Sequence, residues 1–199
     1  LGRPVSLDLA GGRRGEIPWS RYRMSGTADR DLLAAQVEAL APAVSGPITE
    51  RLLARVSGST PWEAELGIDG AGDAMRRTLT IRSDLAGLAI ALPAPLGKAA
   101  GTTRPLTIET PLAAPGEPGT VNVTLGEAVS LALRRASGEG AGGVAVGLGE
   151  PAPAPVADTL RVRGVLPALS VSRWLAVRDV LFPPGTGERP VAPDPVAAA

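Results

Sequence analysis

Apolar and polar positions alternate with a period of two along most of this chain. Leu79 and Ile81 alternate with Thr78, Thr80 and Arg82; Leu88, Ile90 and Leu92 alternate with Ala89 and Ala91; Leu106 and Ile108 alternate with Thr107 and Glu109. A strand shows this pattern when one face of its sheet is apolar and the other wet. It predicts strands over 63–68, 78–82, 85–92, 106–111, 120–125, 129–135, 144–148 and 159–165. Two earlier strands are predicted as well. One spans 4–9 and is followed by a turn at Gly11-Gly12; the other spans 20–27, with Tyr22 and Met24 on one side and Arg21 and Arg23 on the other. Glycine- and proline-rich stretches at 70–73, 116–119, 138–143 and 150–155 supply the later turns.

Three stretches break the alternation. Leu33, Val37 and Leu40 share a helical face over 31–40, which Thr27 or Asp29 can cap and Pro42 ends. Acidic Asp29 and Asp31 suit the positive end of that helix dipole. A short helix is predicted over 48–53, and a third over 172–181, stopped by Pro183-Pro184-Gly185. One domain with a tail is expected: a β-rich segment, 1–182, and a Pro/Ala-rich flexible tail or linker without periodicity, 183–199.

A sheet that keeps one apolar face over so many strands must close, fold over or be covered. Two or three short helices cannot cover nine or ten strands. The fold expected is therefore mainly β: a long, curled antiparallel meander sheet, groove-like, with two or three short helices. If it forms a groove, alternation assigns the lining to Leu79, Ile81, Leu88, Ile90, Leu106, Ile108, Val121, Val123, Leu131, Leu133, Val144 and Val146. A register slip of one residue in any strand would invert the assignment there.

Composition narrows the chemistry. The 199 residues carry no net charge, so nothing draws the chain to nucleic acid or an anionic surface by bulk electrostatics. Only one of the 20 basic residues, Lys98, is a lysine. Cysteine and histidine are both absent, which removes disulfides, thiolate metal sites and the commonest general base. No run of about 20 apolar residues spans a bilayer, and the N-terminus lacks the charged start and apolar core of a signal peptide.

The candidate motifs are weak. Gly138-Glu-Gly140-Ala-Gly142-Gly143 matches a dinucleotide fingerprint on paper, but a strand pattern follows where a helix is required. Pro95-Leu-Gly97-Lys98 resembles part of a phosphate loop without its first glycine; a loop with its ammonium in water is expected. Glu63 and Glu65 share a strand face, predicted to be solvated rather than a cleft for acid–base work. Arg76-Arg77, Arg134-Arg135 and Arg161/Arg163 read as wet positions, and Trp62 and Trp174 as packing residues. No enzyme site, metal or cofactor is expected.

The stretch Ser83-Asp-Leu-Ala-Gly-Leu-Ala-Ile-Ala-Leu-Pro-Ala-Pro-Leu-Gly-Lys98 resembles the S-D-L-x-G-L-x-hydrophobic-x-L-P-A-P-L-G-K signature of YhdP-type, AsmA-like proteins. Val56-Ser-Gly-Ser-Thr-Pro-Trp62 and the Trp174 segment from Val165 to Leu175 are similar to two flanking segments of the same family, so the resemblance covers about 23–182. It implies a periplasmic segment of a large Gram-negative envelope protein, anchored in the inner membrane by a part outside this sequence. It also implies a curled sheet with an apolar concave lining, tied to phospholipid transport between inner and outer membranes and to outer-membrane barrier maintenance. The partners implied are phospholipid acyl chains and the rest of the same chain. Free sheet edges leave an isolated segment open to edge-to-edge self-association. The competing expectation is a structural β-rich spacer or interaction module whose apolar face closes into an ordinary core.

Overall fold

The computed structural model describes residues 4–40, 46–112, 119–135, 142–166 and 168–181. The helix stop at Pro42, most of the turns at 116–119 and 138–143, and the tail 183–199 lie outside these residues. Among the described residues the alternating segments form ten strands: β1 (Ser6–Arg14), β2 (Ile17–Asp29), β3 (Val56–Asp69), β4 (Arg76–Ser83), β5 (Leu88–Ile90), β6 (Leu106–Pro111), β7 (Thr120–Leu125), β8 (Val129–Arg134), β9 (Gly143–Leu148) and β10 (Leu160–Gly164). They pair in the order β1-β2-β3-β4-β6-β7-β8-β9-β10, with β5 joined to β3 off this path. The sheet does not close; among the described residues β1 and β10 are its free edges. Among the described residues three short α-helices accompany it, α1 (Arg30–Leu40), α2 (Pro47–Leu53) and α3 (Val171–Leu181). The fold is mainly β, as the alternation predicts.

The helices gather at one end of the strands. α1 and α2 fill the β2–β3 connection, and Asp29 Oδ1 caps α1 by accepting the Leu32 N–H at 3.1 Å. β10 runs out at this same end into α3, which touches α2, and Trp174 Nε1 donates to the Ala94 carbonyl at 2.8 Å. This end is the helix rim; the opposite end, where β1 turns into β2 and β3 into β4, is the turn rim.

Three local expectations give way. Gly11 and Gly12 are ladder residues, paired with Ser20 and Trp19, and the turn falls at Gly15-Glu16. The missing side chain at Gly12 leaves room for the Trp19 ring, 3.4 Å from where a Cβ would stand. The strand expected over 85–92 shrinks to β5, which pairs with Val56–Gly58 at the base of β3 rather than with β4. The all-antiparallel meander ends at its last pair, because β10 lies parallel to β9. The proline-rich stretch between them is thus no hairpin turn but a crossover strap on the back of β9. Gly143 and Gly147 lie beneath it, where a Cβ would collide with the carbonyls of Val156 and Glu150. Ala145 between them is fully buried, and Ser130 Oγ donates to the Glu150 carbonyl at 2.9 Å.

Candidate functional site: an apolar sheet face

Directly paired residues on neighbouring strands point to the same side of a sheet, so the ladders decide which side chains share a face. One row runs Leu7, Met24, Ala64, Ile81, Ile108, Val123, Leu131, Val146, Val162. It is apolar in all nine strands of the main path. Two residues toward the turn rim stand Leu9, Tyr22, Leu66, Leu79 and Thr110, then Val121, Leu133, Val144 and Leu160. Two residues toward the helix rim stand Ser83, Leu106, Leu125, Val129, Leu148 and Gly164.

One position along, the opposite face reads Asp8, Arg23, Glu65, Thr80, Glu109, Asn122, Ala132, Ala145, Arg161. It is polar except where the strap covers the two alanines. Its charges neutralise each other across strands. Arg21 holds both Asp69 oxygens at 2.9 Å, and Arg23 Nε donates to Glu65 Oε2 at 2.8 Å, a bond that raises the Arg23 pKa above its ordinary value. Glu63 and Glu65 therefore belong to this wet face.

Of the twelve residues that alternation proposed as a lining, Leu79, Ile81, Leu106, Ile108, Val121, Val123, Leu131, Leu133, Val144 and Val146 stand together in the apolar rows. Leu88 and Ile90 stand apart on β5, opposite Gly58 and Val56. The same face also includes Leu7, Leu9, Tyr22, Met24, Leu66, Leu160 and Val162, which the lining assignment omitted although Leu7/Leu9 and Tyr22/Met24 alternate just as clearly. Leu7 and Leu160 at the two edges are 68% and 70% exposed, while the residues between are mostly half-buried by their neighbours. Eight strand spacings of about 4.8 Å make the rows about 38 Å long, and three rows span about 14 Å. That is an area on the order of 500 Å², at the upper end of apolar patches on monomers, which are often functional.

The 83–98 stretch fastens the helix rim. Ser83 Oγ donates to the Pro61 carbonyl at 2.7 Å and accepts the Leu85 N–H at 3.0 Å; Asp84 Oδ1 accepts the Ala86 N–H at 2.9 Å. Pro93 and Pro95 break the ladder, and the leftover carbonyls take side-chain donors instead. The Arg104 guanidinium donates to Pro95, Leu96 and Gly97 at 2.8, 3.1 and 2.9 Å. Lys98 corrects the expectation of an ammonium in water. It is 7% exposed, and its Nζ donates to the carbonyls of Leu88 and Ala99 at 2.7 and 3.0 Å. Burial, helped by the nearby Arg104 charge, holds its pKa below the usual lysine range.

The residues that resemble a family signature are thus the ones that lock this rim, and a model described as YhdP protein matches residues 1–198. The chain belongs to the YhdP family. It is accordingly assigned to the AsmA-like envelope proteins. No curated protein and no solved structure matches this YhdP-family chain. No helix among its described residues is long and apolar enough to cross a membrane.

Proposed function

We propose that this segment of a YhdP-family protein offers its apolar sheet face to phospholipid acyl chains in the periplasm. It would act without catalysis, as part of a path moving phospholipid between the inner and outer membranes and so maintaining the outer-membrane barrier. The observation that supports this reading is the unbroken row from Leu7 to Val162. A row without a polar stop gives a chain no preferred resting place along it, and so favours sliding across the strands.

Magnitudes set what such a face can hold. Fully burying about fourteen methylenes is worth about 11 kcal/mol, and a chain lying on an open face gains about half of that. Association itself costs about 4–15 kcal/mol, so one chain is marginal and two are needed for retention. A diacyl phospholipid is therefore expected to stay with the protein where a single-chain lysolipid leaves.

Native mass spectrometry of the gently purified chain, followed by organic extraction, tests this. The expected result is bound diacyl phospholipid in the wild type, and none in Ile108→Asp that remains folded by circular dichroism. A lipid-free wild type, with a thermal transition indifferent to added phospholipid, would instead make the segment a β-rich spacer or interaction module.

A further inference from the structure

The sequence contains three Arg-Arg pairs, Arg13-Arg14, Arg76-Arg77 and Arg134-Arg135. They are far apart in the chain, yet the topology brings all three to the turn rim: at the end of β1, the start of β4 and the end of β8. Neighbouring residues of a strand face opposite ways, so each pair sends one guanidinium to either face. Arg77 stands two residues beyond Leu79, Arg135 two beyond Leu133, and Arg13 four beyond Leu9, all on the apolar side. Arg135 has its guanidinium against Gly119, where a Cβ would collide with it.

Along the strand path these three arginines recur every third strand, about 14 Å apart. Among the described residues no carboxylate occupies a ladder position on the apolar face; Asp8, Glu63, Glu65, Asp69 and Glu109 all fall on the other. Within the described residues, Arg13 reaches only the carbonyl of Glu16, and Arg77 only Met75 Sδ. Glu16, Asp73 and Asp158 are the acidic residues in the described turns of this rim, and Asp69 is occupied by Arg21. From the Arg77 level to the Leu106 row is three steps of about 6.8 Å, about 20 Å in all. One leaflet's acyl chains occupy about 15 Å, so they fit between this rim and the helix rim.

We infer that Arg13, Arg77 and Arg135 bind the phosphate of a phospholipid headgroup whose chains lie on the apolar rows. The turn rim is then the lip along which headgroups travel from one arginine to the next. Guanidinium suits this task, because it stays charged and pairs with phosphate oxygens in a two-pronged geometry. The inference rests on the acyl-chain reading above and adds a polarity to it: headgroups at the turn rim, chain ends toward the helix rim.

The test compares binding of phosphatidylglycerol with that of an uncharged diacylglycerol bearing the same chains, each as a fluorescent analogue. In the Arg13→Gln/Arg77→Gln/Arg135→Gln protein, phosphatidylglycerol affinity is expected to fall by about tenfold or more, with diacylglycerol binding unchanged. The control Arg14→Gln/Arg76→Gln/Arg134→Gln, which removes the same charge from the other face, is expected to leave both unchanged. Inorganic phosphate at millimolar concentration is expected not to displace the lipid; displacement would mark a free-phosphate site and overturn the headgroup assignment. Equal losses in the two triple variants, or no loss in the first, would overturn it too. Wild-type protein that binds neither lipid would instead sink the acyl-chain reading itself.

Discussion

Arg104 and Lys98 show at residue scale how a charged side chain serves a fold without serving chemistry. Between them they donate to five backbone carbonyls around a proline-broken loop. Arg104→Ala strands three of those acceptors, so a loss of about 2–4 kcal/mol in urea denaturation is expected. Arg104→Lys should recover only part, since one ammonium cannot span three carbonyls. For Lys98 the direction of pH dependence follows from burial. The folded chain releases this proton below the ordinary lysine value of 10.5, so the unfolded chain binds more protons just beneath that pH. Stability attributable to Lys98 therefore rises with pH through that window, and Lys98→Met is expected to remove the slope; an unchanged slope would contradict the burial. None of this was legible beforehand. A lysine after a glycine in a proline-rich stretch reads as a solvated loop, because the carbonyls that need it exist only once the ladder has been broken.

Elements were legible where alternation alone decides them. Apart from β5, the strands from Thr78 to Leu148 are found within a residue or two of their expected bounds, because a period of two is fixed by the pleat itself. Pairing partners were not legible, since the same alternation serves either neighbour and either direction. The strap is the instructive case. Pro151, Pro153 and Pro155 suggest a turn, yet the small-residue spacing Gly143-x-Ala145-x-Gly147 in the strand before was a signal that backbone would lie over it. Gly147→Val is expected to cost about 1–3 kcal/mol by overpacking and to open the strap to limited proteolysis. Val146→Leu, one residue along on the open face, should cost much less; equal effects would mean the strap does not rest there.

At the scale of the whole molecule, nine strands agree on which face is apolar, though the ladders join residues as distant in sequence as Trp19 and Asp69. The face assignment survives from sequence to structure for ten of twelve residues because each strand's alternation is self-consistent and the ladders keep it in phase. Leu88 and Ile90 leave it because β5 pairs off the main path. Alternation also could not show that Arg77 and Arg135 end the apolar rows on one rim, since that needs the strand order. The face holds no carboxylate at any described ladder position, whereas the other is stitched by ion pairs such as Arg21–Asp69 and Arg23–Glu65. Such a division of labour suits a surface meant to meet hydrocarbon on one side and water on the other. The most direct measurement is photo-cross-linking of the folded chain to a phospholipid carrying a diazirine in its acyl chain, with the adducts mapped by peptide mass spectrometry. Adducts at Leu79, Ile108, Val123 and Leu133, with none at Thr80, Glu109 or Asn122, are the predicted result; adducts spread over both faces, or confined to the helices, would contradict it.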